Sequence, residues 1–356
     1  MPTCLGITAS VLLPALLAAQ TFVVGPSGQF ATIGLAVSVV PDGSTLRVMA
    51  GTYTGFTVIG KGLTVLADPG VVVGPITIQN TGSQQFVEIV GVQLQASLAL
   101  MDCAGPVVLR RLRAAPPTTL QSVGGSNCAQ ILIDDSTLPM GSFTSCPAVT
   151  MIGSALLTPM GDALRVVASS LTAVDCEMHG GISWTGGSGY AISMAYDAQV
   201  RLLGLTALQG GTDFPSGMQL PSVSGQGVLR LGPATDLVGA SMSPTLFVPE
   251  CALRTSPASL GQPTTATLRS ELGALACTMF GLPGATQAVP GFAGDLWLEP
   301  TSIVFGPLGI VSGPTTTTAN VPANPLLQGQ TFAWQAVTYA PTVGFTLSNA
   351  EWFRIQ

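Results

Sequence analysis

Charged residues are scarce in this 356-residue chain, where Asp, Glu, Lys and Arg make up 8% of the residues, against about 25% in typical soluble domains. The net charge is −6, and Lys61 is the one lysine. Nucleic-acid binding needs a stripe of Lys and Arg that neutralises phosphates, and the only basic run is Arg110, Arg111 and Arg113. Alternation along a strand would split these three between two faces, so we interpret them as a solvated strand edge and expect no nucleic-acid partner.

Long hydrophobic runs are also missing after the N-terminus, which argues against a transmembrane anchor. Residues 5–19, LGITASVLLPALLAA, are too short to span a membrane but are typical of a signal peptide, with cleavage after Ala18 or Ala19. The preceding MPTC has no Lys or Arg, which departs from the usual pattern. We expect residues 1–19 to be a signal peptide and the protein to be secreted or held at the cell surface.

What the chain does contain is a recurring pattern of short β-rich segments between turn residues, from Phe56 to about Val238. Their starts fall about 15–24 residues apart, a period typical of a solenoid. Parallel strands buried on both faces explain the abundance of Val, Leu and Ile. We predict an all-β chain with a parallel β-helix over residues 20–240. A Pro-rich entry and renewed alternation predict a small antiparallel β-sandwich over residues 241–356.

The stretch from Gly28 to Gly55 predicts a short helix, a turn and a first strand. Apolar residues recur at three- and four-residue steps from Phe30 to Val40, which indicates a helix with Thr32 as its N-cap. Residues 41–44, PDGS, have turn chemistry. Alternation over residues 45–50 indicates a strand with one apolar face.

This stretch resembles the N-terminal coil of the pectin-lyase-like right-handed parallel β-helix superfamily. The resemblance implies that fold, with the helix as a cap over the open end of the first coil. It leaves the function open, because enzymes and non-enzymes share the fold. The matching residues are Phe30, Thr32, Ile33, Ala36, Val37, Pro41, Gly43, Thr45, Val48, Gly51 and Tyr53.

The C-terminal segment resembles a module of exported bacterial repeat proteins that ends in a P-x-x-P-L-x-G … LSNA pattern. This resemblance implies export and a β-rich module, and it implies no activity. The matching residues are Pro322, Pro325, Leu326, Gly329, Gln335, Leu347, Ser348, Asn349 and Ala350.

Six cysteines follow the predicted signal peptide, and an even number in an exported chain suggests disulfides. Their spacing matches no C-x-x-C metal site. Several stand just before a strand start, so stacked coils would bring them close together. The alternative is a stack of buried thiols. The pairings that we favour are Cys103–Cys128, Cys146–Cys176 and Cys251–Cys277.

The catalytic motifs of pectin methylesterases and pectate lyases are missing. Asp134, Asp135 and His179 resemble the paired aspartates and GHG histidine of polygalacturonases, which use two carboxylates and a water. Neighbouring residues on a strand point to opposite faces, so we favour a turn role for Asp135. We expect no cofactor.

Asp175, Glu177 and His179 alternate along the chain, so an extended backbone would place them on one face. One imidazole and two carboxylates are able to bind a metal ion. The interpretation that we favour is a polar, solvent-facing strand.

Trp184, Tyr190 and Tyr196 lie in the Gly-rich segment SWTGGSGYAISMAY. Exposed aromatic rings are able to stack on sugars in binding grooves, which makes these three the candidate carbohydrate-binding residues. The alternative, which we favour, is that they pack the corners of the coils.

Together these patterns predict an exported, non-enzymatic β-helix scaffold that acts in binding or structure, with extracellular or cell-wall polysaccharide as the candidate partner. The alternative is a polysaccharide-active enzyme, a lyase, esterase or glycoside hydrolase. The two differ in one feature: an enzyme should show converging carboxylates or an Arg or Lys base in a groove on the lateral face of the rod.

Overall fold

Long parallel β-sheets form the first part of the chain, and smaller antiparallel sheets form the rest. A computed structural model describes residues 20–115, 121–184, 188–214, 216–239, 241–248, 251–256 and 258–355. The predicted signal peptide, residues 1–19, lies outside the described residues. Within the described ranges, no helix is long and apolar enough to cross a membrane.

The strands of the parallel part are short and follow one another closely along the chain. In order they are β1 (Thr21–Val24), β2 (Ser44–Val48), β3 (Gly51–Tyr53), β4 (Phe56–Ile59), β5 (Leu63–Ala67), β6 (Val71–Val73), β7 (Ile76–Gln79), β8 (Val87–Val90), β9 (Gln93–Leu94), β10 (Leu98–Met101), β11 (Pro106–Arg110), β12 (Arg113–Ala114), β13 (Ser122–Ser126), β14 (Gln130–Asp134), β15 (Thr137–Leu138), β16 (Met140–Thr144), β17 (Val149–Ile152), β18 (Ala155–Leu157), β19 (Leu164–Val167), β20 (Ser170–Val174), β21 (Glu177–His179), β22 (Ile192–Leu203), β23 (Ala207–Gln209), β24 (Val223–Leu231), β25 (Asp236–Val238) and β26 (Thr245–Phe247).

These strands pair in parallel as three ladders, because most strands bond to the strand three places further along the chain. The first ladder runs β4-β7-β10-β13-β16-β19-β22-β24. The second runs β1-β2-β5-β8-β11-β14-β17-β20-β22-β24-β26. The third runs β3-β6-β9-β12-β15-β18-β21-β23-β25. This arrangement is consistent with a β-helix-like fold and confirms the predicted all-β chain with parallel sheets.

Inward side chains from all three ladders share one apolar core. Val58, Val65 and Val73 come from the first, second and third ladder respectively, and all three are fully buried in it. In-register pairing places Ile78 beside Val58 and Ile89 beside Val65 on the following strands. The alternation of apolar residues within each short strand therefore builds a core that continues from strand to strand.

The predicted helix is present as α1 (Ile33–Val39), and Thr32 Oγ1 accepts a hydrogen bond from the Leu35 N–H at 3.3 Å, as expected of an N-cap. Its buried face belongs to the core of the ladders. The prediction that this helix caps the first coil is wrong. Residues 21–24 form β1 before the helix and pair with β2, so a strand ends the second ladder. TFVV is rich in residues that favour strands, which explains this additional pairing.

The antiparallel part begins with β27, whereas β26 still belongs to the second ladder. The main sheets are β27-β28-β34 and β31-β36-β35-β29-β33, with β37 paired to β35 and a separate β30-β32 pair. The elements are β27 (Cys251–Thr255), β28 (Pro263–Ser270), β29 (Leu275–Gly281), β30 (Pro283–Ala288), β31 (Phe292–Ala293), β32 (Asp295–Leu298), β33 (Val304–Ile310), β34 (Thr315–Asn320), β35 (Thr331–Ala340), β36 (Gly344–Leu347), β37 (Glu351–Arg354) and the 3₁₀ turns Pro300–Ser302 and Pro325–Leu327.

The antiparallel sheets pack against the outward face of the second ladder. Val108 and Leu132 of that face share an apolar cluster with Trp297, Leu347 and Trp352 of the antiparallel part. The side chains on either side of Val108 and Leu132 along their strands face the inner core instead. The second ladder is therefore buried on both faces, and the contact between the two parts of the chain positions the features described next.

Candidate functional site

The structure does not bring the three candidate catalytic residues together. Asp134 lies on the outward face of the second ladder and forms an ion pair with Arg110. Asp135 has a left-handed φ of 44° in the turn after β14 and lies 3.4 Å from Arg113. His179 Nε2 lies 3.0 Å from Glu177 Oε1 on the third ladder. The two aspartates thus have separate cationic partners, and the turn position of Asp135 agrees with the interpretation favoured from the sequence.

The candidate metal ligands Asp175, Glu177 and His179 are also separated. Asp175 Oδ1 lies 2.6 Å from Arg269 Nη1, and its Oδ2 lies 3.8 Å from Arg254 Nη1. Glu177 and His179 instead contact each other. Across the described ranges, no group of three or more His, Cys, Asp and Glu side chains is arranged to hold a metal ion. Asp175 connects the parallel part to β27 and β28 through two arginines.

An exposed aromatic pair includes one of the three candidate sugar-binding residues. Trp184 is 57% exposed, and its ring centroid lies 4.2 Å from that of Phe214, which is 59% exposed. Tyr196 is exposed at the left-handed kink of β22, and Tyr190 is partly buried. Sequence reasoning missed Phe214, which lies thirty residues further along the chain. The β-bridge between Ser183 and Asp213 brings the two rings together.

The six cysteines predicted to form disulfides are all buried, and none of the three predicted disulfides is present among them. Cys103, Cys128 and Cys146 all belong to the core of the ladders. A hydrogen bond with Cys103 lowers the pKa of the Cys128 thiol, but a hydrogen bond with Cys146 and burial outweigh it and raise that pKa to about 11. Cys128 is therefore a neutral thiol at physiological pH.

A repeated turn at the end of the first ladder explains why thiols fit there. Cys128, Cys146 and Ser169 each donate a hydrogen bond to the carbonyl oxygen two residues earlier, at 3.3, 3.4 and 2.7 Å. Asn127 and Ser145, which precede the two cysteines, have left-handed φ angles of 54° and 52°. Thiol and hydroxyl groups thus occupy equivalent positions in successive turns. For this part of the molecule, the structure agrees with the alternative to disulfides given above, a stack of buried thiols.

Arg110 lies in a buried charge cluster, which corrects its interpretation as part of a solvated strand edge. Its side chain is 15% exposed, and its Nε lies 3.3 Å from Glu88 Oε1. Its guanidinium also contacts Asp134 and donates to the backbone carbonyl of Trp352 on β37. The alternation predicted that the arginines are split between two faces, but it did not predict the antiparallel sheet that covers Arg110. Arg113, in contrast, is exposed.

Burial changes the protonation of two acids in this cluster. Burial, together with nearby Asp134, raises the pKa of the Glu351 carboxyl to about 8, against the opposing effects of Arg110 and of hydrogen bonds with Thr255. Burial also raises the pKa of Glu88, against the opposing effect of Arg110. A carboxyl transferred from water into a protein interior favours its neutral form. The interface therefore binds protons more tightly than the same residues do in the unfolded chain.

A cleft of about 330 Å³ lies between the second ladder and the antiparallel sheets. Arg201 on β22 and Arg230 on β24 line one wall and are direct partners in the parallel register. Asp295 and Asn349 line the opposite wall. Arg230 Nη1 donates to Gln199 Oε1 at 2.8 Å, which orients its guanidinium. The cleft is thus a polar groove with two arginines on the lateral face of the parallel part.

The sequence analysis did not predict this cleft, although the sequence contains a pattern that indicates one of its two walls. The neighbouring segments V-R-L-L-G and L-R-L-G place Arg201 and Arg230 at equivalent positions, which predicts that they lie side by side. The other wall comes from the antiparallel part and is more than sixty residues away in the sequence. No local pattern links the two walls.

Comparisons with known proteins do not place this chain in a family. No family model matches it, and no curated protein is significantly similar to it.

Proposed function

We propose that this protein is an exported, non-enzymatic scaffold that binds extracellular polysaccharide. In this proposal the parallel part is a right-handed parallel β-helix of the pectin-lyase-like type, and the antiparallel part is a small β-sandwich. The recurrence of strands in three ladders supports the fold. The apolar run of residues 5–19 supports export.

The observation that carries the binding proposal is the aromatic pair of Trp184 and Phe214. Large apolar side chains that stay exposed together mark interaction surfaces more often than isolated ones do. The faces of aromatic rings suit the apolar C–H faces of sugar rings, and the indole N–H is able to bond to a hydroxyl. Two rings side by side offer such a surface without a deep pocket, which fits a long polymer.

Affinity electrophoresis in gels that contain polysaccharides tests this proposal. We expect the protein to be retarded by at least one of polygalacturonate, alginate, xylan and cellulose derivatives. Trp184→Ala and Phe214→Ala should each weaken that retardation about tenfold, which corresponds to roughly 1.4 kcal/mol of lost stacking. Phe305→Ala is the matched control, because Phe305 is a similarly exposed aromatic residue on β33 of the antiparallel part. Unchanged retardation in both variants, or none in the wild type, contradicts the proposal.

A second proposal, a polysaccharide-active enzyme, is favoured by the cleft with Arg201 and Arg230. An arginine in a lateral groove is the feature expected of such an enzyme, and Asp295 supplies a carboxylate on the opposite wall. Incubation with polygalacturonate, alginate and related glycans tests it. New reducing ends or unsaturated products that disappear in Arg230→Gln would establish the enzyme. Intact polymers after prolonged incubation would contradict the enzyme proposal and favour the non-enzymatic binding scaffold.

A further inference from the structure

An apolar row on one antiparallel sheet is open to solvent near the end of the second ladder. It consists of directly opposite residues on β33, β29, β35 and β36, namely Ile310, Leu275, Tyr339 and Phe345. We propose that this row docks a second copy of the chain, so that the protein forms a two-fold symmetric dimer. The proposal uses neither residue of the aromatic pair and does not depend on polysaccharide binding there.

Every member of the row is a large apolar side chain that the rest of the molecule leaves partly uncovered. Ile310 is 70% exposed and Leu275 is 40% exposed. The rings of Phe345 and Tyr339 are 45% and 36% exposed, and their centroids lie 4.8 Å apart. Leu308, two residues before Ile310 on the same strand, extends the row and is 71% exposed. Large apolar side chains exposed side by side mark an interaction surface.

The row continues an interface that the molecule already forms. Leu347, two residues after Phe345, lies in the apolar cluster between the sheet and the second ladder, and Val337, two residues before Tyr339, packs against that cluster. Side chains two residues apart on a strand share a face, so the row belongs to the sheet face that covers the ladder. Within the molecule this face packs on another β-sheet, and a second copy offers a surface of the same kind.

The second ladder ends beside the row and does not cover it. The last strand of that ladder is β26. Val248, which follows β26, and Thr346, which follows Phe345, line the same cleft. The sheet therefore extends to the end of the ladder, and the row is the part of its apolar face that stays exposed there.

The strands that carry the row contain no charged residue. Residues 272–294 and 300–350 include no Asp, Glu, Lys or Arg, although the whole chain has a net charge of −6. In a two-fold dimer the same surface meets itself, so charged residues there would face like charges. Charged residues are also depleted at the centre of subunit interfaces. Attachment to an anionic membrane would instead need Lys or Arg beside the row, and these strands have none.

The free edge of β33 is a poorer contact than the face of the sheet. Among the described residues β33 pairs only with β29 and is an edge strand. Pro307 lies in this strand and has no N–H to donate, and the register against β29 shifts between Cys277 and Met279. Both features obstruct the addition of a strand to an edge. The two copies therefore meet through side chains of the sheet face.

The area of the row is sufficient for a weak dimer. If a large side chain has about 150–200 Å² of surface, the five exposed fractions give roughly 400–500 Å² per copy. Two copies contribute about 900 Å², which is below the range of about 1,200–2,000 Å² of stable complexes and typical of weak ones. We therefore expect a dimer that forms at micromolar protein concentrations.

Sedimentation velocity of the full chain tests this proposal at concentrations from about 1 to about 100 μM, where weak complexes dissociate. The variants are Ile310→Lys and Phe345→Lys. Ile59→Lys is the matched control, because Ile59 is a 57% exposed isoleucine on β4 of the first ladder. Circular dichroism melting checks that each variant is folded.

We expect the wild type and Ile59→Lys to change from monomer to dimer across the concentration series. Ile310→Lys and Phe345→Lys should each raise the dissociation constant of the dimer about tenfold or more, because the new charge loses its hydration in the contact. The proposal is overturned if the wild type stays monomeric, if it grows beyond a dimer, or if both folded variants associate as Ile59→Lys does. Flotation of a monomeric wild type with phosphatidylcholine vesicles, lost in Ile310→Lys, would assign the row to a lipid surface instead.

Discussion

Two buried regions of this molecule, the interior of the ladders and the interface between its two parts, differ in how they are held together. The interior of the three ladders is lined mainly by aliphatic side chains that repeat from strand to strand. The interface between the second ladder and the antiparallel sheets combines apolar residues with Glu88, Arg110, Asp134 and Glu351. Within the described residues, Glu88 Oε2 and Glu351 Oε2 are buried without a hydrogen-bond partner. The interior is stabilised by similar apolar contacts that recur from strand to strand, whereas the interface is stabilised by contacts between particular charged residues.

This difference has an energetic consequence. Each inward residue of the ladders contributes mainly through the apolar area that it buries, at about 25 cal/mol per Å². A buried ion, in contrast, is tolerated only while its partners remain, because an unpaired charge keeps its full desolvation cost. Substitutions that remove one partner at the interface should therefore cost more than conservative substitutions in the interior.

Removing Arg110 should have the largest effect. Arg110→Met keeps the length and apolar stem of the side chain but leaves Glu88 and Asp134 buried without their cation. We expect a loss of about 3–5 kcal/mol in the free energy of unfolding, measured by urea denaturation. Arg113→Met is the matched control, because this exposed arginine should contribute about 0–1 kcal/mol. An equal loss in the free energy of unfolding in the two variants would contradict the inference that the interface depends on its buried charged partners.

The free energy of unfolding should depend on pH through the acids of the interface and not through the apolar interior of the ladders. The pKa of Glu351 is raised from its ordinary 4.5 to about 8 in the folded protein, so the folded state binds more protons than the unfolded state between these values. Its contribution is fully present below pH 4.5 and is lost as the pH rises through 8. The elevated pKa of Glu88 acts in the same direction.

We therefore expect the free energy of unfolding to fall by about 4 kcal/mol between pH 5 and pH 9 through Glu351. Glu351→Gln, which is neutral at every pH, should remove most of that slope. The measurement is a series of urea denaturations across this range, with Glu271→Gln as the control outside the cluster. A wild-type stability that rises over the same range would contradict the assignment.

The interior was largely predictable from the sequence, and the interface was not. Alternation within segments such as LTVLA and short spacing between them predict inward residues like Val65, because each strand repeats a local pattern. The N-cap Thr32 was predictable for the same reason. The burial of Arg110 was not, because its cover comes from Trp352, more than two hundred residues later. A long-range contact of this kind has no local signature.

The candidate site was also predictable only where a local sequence pattern marks its residues. Trp184 was identifiable as an aromatic in a Gly-rich segment, but its partner Phe214 was not, since a β-bridge between two loops joins them. Cys103, Cys128 and Cys146 were placed just before strand starts, as they are in the structure, but the prediction of disulfides was wrong. The even number of cysteines and the predicted export favoured disulfides, but the repeated turn directs the thiols of Cys128 and Cys146 to a carbonyl of their own strand, as Ser169 does with its hydroxyl.

The smallest expected effect tests this repeated turn. Cys128→Ser keeps a hydrogen-bond donor at the position where Ser169 shows that a hydroxyl fits, so stability should change by less than about 1 kcal/mol. Cys128→Val removes the donor and should cost more, because the carbonyl of Ser126 then loses this contact. Urea denaturation with and without dithiothreitol completes the test. Free thiols predict identical midpoints, whereas a disulfide would make the reduced protein less stable by about 2–4 kcal/mol. If the midpoints are identical and Cys128→Ser leaves stability almost unchanged, thiol and hydroxyl groups are interchangeable in the repeated turn of the interior. The interface around Arg110, in contrast, should not accept replacement of a single residue.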